Sequence, residues 1–259
     1  MQPLWALLRV KDRARYMRRM AQAVIDDFDE LVMGLAREQG RPAAEIAALE
    51  LLPAIDALMW IADDGEDVLG GRRVAISRSL SIARRASIAY EPFGVVGVIG
   101  AGSAPFAQPL GQIAGALLAG NGVVFKPAAR AALAGERIAR VLARADLREG
   151  LVRIAHGHAD VGVALATSQV AKILFTGSPA VGRVVARASV SREKEVTSSS
   201  GARMRCSCSR TPACIVLRRA GCGPAALARA RHAAASSACT WRGRCTSASC
   251  RRSSAGPQP

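Results

Sequence analysis

An α/β fold, with a helical N-terminal portion leading into a doubly wound parallel sheet, is what this sequence predicts. Three observations carry that reading. Half of the 259 residues are hydrophobic, enough for a sizeable core. The first seventy residues repeat apolar side chains at helical spacing. From Val95 onward, short apolar runs of buried-strand type alternate with Ala-rich amphipathic stretches, the rhythm of βαβ units with ligands bound at the carboxyl ends of the strands.

Element by element, "VKDRARYMRRMAQAVIDDFDELVMGLAREQG" reads as one helix. Met17, Met20, Ala21, Val24, Ile25, Phe28, Leu31 and Leu35 form its stripe, Gly40 stops it, and Pro42 restarts the chain. A second helix runs through "PAAEIAALELLPAIDALMWIADDGEDVLGG", with a bend expected at Pro53. The acids Asp63, Asp64, Glu66 and Asp67 fall at its expected end and read as a solvated turn. "RRVAISRS" and "RRASIAYEPFG" alternate as an exposed strand pair.

Strands are then expected at "GVVGVIG", "GVVFKP", "LVRIAHG", "AKILFTG" and "KEVTS". The helices between them are "PLGQIAGALLAG", "AALAGERIARVLARA", "ADVGVALATS" and "PAVGRVVARAS". The expected divisions are a helical portion at 1–70, a strand pair at 71–92, a nucleotide-binding sheet at 93–197 and a basic tail at 198–259. Helical stretches of the tail such as "PAALARARHAAA" lack a sustained apolar stripe, and Ser, Arg and Cys dominate it, the composition of a disordered segment.

Charge and cysteine mark the same boundary. Residues 1–197 carry 25 basic and 20 acidic side chains, whereas residues 198–259 carry 11 Arg and no acid. The formal charge of +16 thus sits mostly in the tail, which disfavours nucleic-acid recognition by the folded part and leaves nonspecific phosphate binding through the Arg-rich tail as an alternative. All seven Cys lie beyond residue 205, so the first 205 residues suit a reducing, cytoplasmic setting. No apolar run reaches membrane-spanning length, and no secretory leader is visible. The tail cysteines contain no C-x-x-C pair and His232 is the only tail histidine, which argues against a zinc module. His156 and His158 read as solvated loop histidines.

Two motifs carry chemistry. Lys126 in "FKP" ends a buried strand, where an ammonium can bond a ribose or phosphate. In "FTGSPAVG", Gly177 permits a tight turn, Ser178 is an N-cap and Pro179 suits the first helical position. The free backbone N–H groups at such a helix start suit a pyrophosphate.

Taken together, "EPFGVVGVIGAGSAPFAQPL", "ALLAGNGVVFKP", "ILFTGSPAVGR" and "KEVT" resemble, in order and spacing, the aldehyde dehydrogenase superfamily over roughly residues 5–197. The resemblance implies a Rossmann-like domain binding NAD or NADP. Lys126 would lie near the adenine ribose, Gly177 and Ser178 near the pyrophosphate, Gly157 beside the adenine, and Ile99 at the mouth of the site. It further implies an aldehyde substrate in intact relatives, attacked by a catalytic Cys, with a Glu-activated water releasing the acid. Homo-oligomerisation through the strand pair is a further expectation.

The sequence also departs from the family. Gly102 and Ser103 replace the usual Trp-Asn pair, and Ala128 and Ala129 the usual Ser-Glu. After "VT", Ser198-Ser199-Ser200-Gly201-Ala202-Arg203 stands where Leu-Glu-Leu-Gly-Gly-Lys, with its general base, is expected. No Gly-Gln-x-Cys context for a nucleophile follows; "GRCTS" is only a faint echo of one. Deleting one base from suitable synonymous codons of a familial segment yields Ser198 through Pro212, so a frameshift near codon 198 is expected. With it comes an inactive chain that lacks the catalytic domain.

Overall fold

The computed structural model describes residues 1–74, 86–200, 207–208 and 240–241. The chain opens with α1 (Gln2–Ala6), α2 (Val10–Asp26) and α3 (Phe28–Gln39). The single helix expected over 10–40 is therefore two. Asp27, at φ −100° and ψ 17°, ends α2 and starts α3. Its carboxylate is held by Arg144 from a later helix, so the break is fixed by a long-range ion pair that leaves the apolar stripe uninterrupted. Gly40 takes the left-handed conformation, φ 60°, that closes α3, as a C-terminal glycine should.

The second helical stretch divides into α4 (Ala43–Ile46), a π-helical turn (Ala47–Leu51) and α5 (Leu52–Leu69). The irregularity lies just ahead of Pro53. A proline lacks the N–H that an upstream carbonyl needs, and a π turn absorbs the mismatch. The acids expected in a turn instead lie inside α5. Asp63 accepts from Arg18 at 2.7 Å and Glu66 pairs with Lys11 at 3.5 Å, so the two cations of α2 draw them into the last helical turns.

A three-residue antiparallel pair follows, β1 (Arg72–Val74) with β2 (Ala86–Ile88); the intervening part of the expected strand pair lies outside the described residues. Strand β3 (Val95–Ile99) then begins the main sheet. It continues through α6 (Ala107–Leu118), β4 (Gly122–Lys126), a 3-10 turn (Ala129–Ala131), α7 (Ala132–Arg144), β5 (Val152–Ile154), α8 (Ala159–Thr167), β6 (Lys172–Gly177), α9 (Pro179–Val190) and β7 (Glu195–Ser200). All pairs are parallel, in the order β5-β4-β3-β6-β7. The order reverses between β3 and β6, and at that switch point a doubly wound sheet opens a crevice beyond its strand ends.

Helices α6 and α7 cover one face together with the N-terminal helices. Met17, Leu35, Leu58, Leu110, Phe125 and Ile138 are fully buried there. The other face is smaller: α8 and α9 pack Leu165, Ala166 and Val185 on Ile99, Ile173 and Phe175. Residues Met1–Ser200 form one compact unit. In the second unit, Gly201–Pro259, the described residues are the short parallel pair of β8 (Ser207–Cys208) with β9 (Thr240–Trp241). Six of the seven tail cysteines, His232 and the stretch "PAALARARHAAA" lie outside the described residues. Among the described residues no helix is long and apolar enough to cross a membrane.

Candidate functional site

Neighbouring residues of a parallel ladder point to the same face, so the register sorts the candidate residues. Lys126, Ile99 and Phe175 are mutual partners across β4, β3 and β6. Phe175 and Ile99 belong to the α8–α9 core. A Cβ built on Gly162 of α8 would stand 3.7 Å from Lys126 Cδ, which places Lys126 on that face too. Gly177 ends β6 two residues after Phe175, on the same face, and Ser178 follows it. Gly157 lies in the loop from β5 to α8. All five residues singled out in the sequence therefore stand at the carboxyl edge of the sheet, around its switch point.

Lys126 is buried, and its ammonium donates to the carbonyls of Pro127 at 3.1 Å and Gly157 at 2.9 Å. Burial pushes this ammonium below its usual range, while Asp160, in the first turn of α8, acts in the opposite direction. Two of its three protons are committed to the protein, and one remains for a ligand oxygen. The same bond ties the β4 end to the Gly157 loop.

Gly157 sits at φ 147°, where a side chain is strained, and an added Cβ would come within 3.0 Å of Val161 Cβ and closer still to one of its methyl groups. Gly157→Ala is expected to cost about 1–3 kcal/mol of stability, read as a shift of the urea midpoint.

The helix starts at this edge are not equivalent. Neither α6 nor α7 has a capping side chain of its own. Glu50, from the π turn, instead accepts from the backbone N–H of Phe106 at 3.2 Å and Ala107 at 3.0 Å. Glu38, from α3, accepts from Leu133 N–H at 2.8 Å and pairs with Arg137 at 3.0 Å. Both helix starts are thus already filled by carboxylates of this chain. The start of α9 is different. Ser178 Oγ accepts from Val181 N–H at 3.4 Å, Pro179 occupies the first turn, and among the described residues no carboxylate bonds to this helix start. Phe175 packs beneath it, since Cβ atoms built on Gly177 and Gly182 would meet its ring at 2.7 and 3.1 Å. Of these three helices, only α9 offers open N–H groups to an anion.

The α6 face of the same edge carries a second row. Gln112 Nε2 donates to Thr176 Oγ1 at 3.0 Å, and Thr176 pairs in register with Ser199. Gln112 Oε1 is buried with no hydrogen-bond partner among the described residues. Sequence reasoning missed Gln112, Glu50, Glu38 and Arg130. The last lies in the 3-10 turn, its guanidinium against the backbone of Gly102. Only Arg130 had a local signal, its position four residues after Lys126. His156, read as solvated, shares a hydrogen bond with Glu136 at 2.5 Å.

A cavity of about 390 Å3 lined by Arg19, Asp26, Arg144 and Asp146 lies at the C-terminal end of α7, on the opposite edge of the sheet. Arg19 pairs with Asp146 and Arg144 with Asp26, leaving little charge for a ligand.

This architecture recurs among solved proteins. A candidate aldehyde dehydrogenase from Burkholderia cenocepacia superposes with a TM-score of 0.71 at 29% identity, over 79% of this chain and 42% of that one. An aldehyde dehydrogenase from Brucella melitensis biovar abortus 2308 gives 0.78 at 24% identity, over 85% and 46%. The aldehyde dehydrogenase of Bacillus cereus, solved as its NAD+ complex, gives 0.73 at 24% identity, over 80% and 41%. The chain spans less than half the length of these proteins. A profile described as the aldehyde dehydrogenase family matches residues 1–208, beyond the last motif at Thr197. With that match over most of its length, the chain belongs to the aldehyde dehydrogenase family.

Proposed function

We propose that this chain binds a nicotinamide dinucleotide at the carboxyl edge of its sheet and turns over no aldehyde. The observation that carries the reading is the open start of α9 beside the Lys126–Ile99–Phe175 row, when α6 and α7 are already occupied by Glu50 and Glu38. Backbone N–H groups of α9 and the Ser178 hydroxyl would hold the pyrophosphate, and the remaining Lys126 proton a ribose oxygen. Gly157 lets the β5–α8 loop approach closely, and Ile99 supplies an apolar wall. When bound, the nicotinamide supplies hydride acceptance.

The catalytic side is where the reading turns negative. The resemblance places a carboxylate at Ser199 and an amide at Ser103; a hydroxyl replaces each. Ser199 stands beside Thr176 and Gln112, a row of neutral groups with no base able to activate water. The first 205 residues contain no cysteine to act as nucleophile. A one-base frameshift near codon 198 accounts for this change of residues, and a clean read through the unshifted gene at that codon would sink it.

Titration of the full chain with NAD+ or NADP+, followed by tryptophan fluorescence, should saturate. Lys126→Ala should weaken binding by about tenfold, the worth of one charged hydrogen bond. Unchanged affinity in that variant would overturn the assignment of Lys126. Aldehyde-dependent formation of reduced cofactor would overturn the inactivity.

A further inference from the structure

Between Pro92 and Gly135 the sequence contains no Asp or Glu. That segment holds β3, the turn after it, α6, β4 and the turn after β4. In dinucleotide-binding sheets the ribose nearest the second strand is read at that strand's end. A carboxylate there bonds the 2′-hydroxyl of NAD, whereas an arginine there receives the 2′-phosphate of NADP. Here the corner holds Lys126, then Pro127, Ala128 and Ala129, none with a side-chain acceptor, and then Arg130.

Arg130 is exposed, and no carboxylate pairs with it among the described residues. Its side chain reaches back from the β4 end to the turn after β3: a Cβ built on Gly102 would stand 3.1 Å from its Cγ and Cζ, with Nε nearer still. Gly102 is thus the residue that admits the guanidinium to this position. The nearby acids are otherwise placed. Glu136 is engaged by His156, and Asp160 acts on Lys126.

We infer that Arg130, held against Gly102, makes the β4 corner a 2′-phosphate subsite, so that the chain selects NADP(H) over NAD(H). The planar guanidinium suits bidentate contact with a phosphate, while the one free Lys126 proton stays with the ribose oxygen beside it. The inference rests on the dinucleotide reading given above.

The test is equilibrium titration of the full chain with NADP+, NAD+, adenosine 2′,5′-bisphosphate and ADP at low salt. Arg130→Gln, which keeps a polar stem over Gly102, and Arg130→Ala are measured alongside, each checked for an unchanged circular dichroism melt. The wild type should favour NADP+ over NAD+, and the bisphosphate over ADP, by at least about tenfold. Both preferences should fall to near unity in Arg130→Gln, with NAD+ affinity held within about threefold. Equal binding of NADP+ and NAD+ would overturn the inference while leaving dinucleotide binding intact. Preference for NAD+ that disappears in Asp160→Asn would overturn it in favour of Asp160 as the ribose reader. A preference surviving in both Arg130 variants would assign it to charge elsewhere, the Arg-rich tail being constant throughout. If neither dinucleotide binds, the functional reading itself fails.

Discussion

Glu50→Ala is expected to remove about 3 kcal/mol of stability, because it strips the start of α6 of both its acceptor bonds. Glu50 is 1% exposed and accepts from Phe106 and Ala107 N–H, with Arg41 at 3.5 Å. In the alanine variant the buried Phe106 N–H and the half-buried Ala107 N–H lose their acceptor, and Arg41 keeps Glu45, at 2.8 Å. The loop carrying Gly102 and Ser103 leads directly into that helix start, so hydrogen exchange should rise there first.

Glu50→Gln separates shape from charge. Burial holds the Glu50 carboxyl above its ordinary value of 4.5, against the opposing pull of the two N–H groups and Arg41. The folded chain therefore keeps this proton to a higher pH than the unfolded chain does. Its contribution to stability is fullest below the unfolded value and declines as pH rises through the folded one. The stability of wild type minus that of Glu50→Gln should fall as pH rises from about 4 toward neutrality, measured by urea unfolding at each pH. A flat difference would remove the desolvation argument.

Phe175→Ala carries the other large effect, about 3–5 kcal/mol. Phe175 is 2% exposed in the smaller of the two cores, where few other large side chains could fill the void. Its ring meets the positions above Gly177 and Gly182, so the same substitution frees the start of α9. Dinucleotide affinity should fall along with stability. Phe175→Leu should restore most of the stability, because it refills much of the volume. A variant that lost stability but bound dinucleotide as before would show that Phe175 does not shape the α9 start.

How much of this was legible beforehand differs from feature to feature. The order of strands and helices from Val95 to Val196 was readable, as were Ser178 as a cap, Pro179 behind it and Gly40 as a stop. Each depends on side chains within one turn or one strand of the position concerned. The break at Asp27 was not readable, because the apolar stripe runs unchanged through it and the partner, Arg144, is 117 residues away. Nor was the helical placement of Asp63 and Glu66, whose partners Arg18 and Lys11 sit on another helix.

The sequence by itself determined the α/β class and, through turn and strand-end chemistry, Lys126, Gly177 and Ser178, because these are local properties of the chain. Gly157 and Ile99 came only with the family resemblance. Tertiary structure alone decided which of those residues share a face, since that depends on strand register. It also decided that the starts of α6 and α7 are closed by carboxylates from elsewhere in the chain. Glu50 and Glu38 reach the helices they cap across 56 and 95 residues, and a buried N–H takes whichever acceptor the packing brings to it.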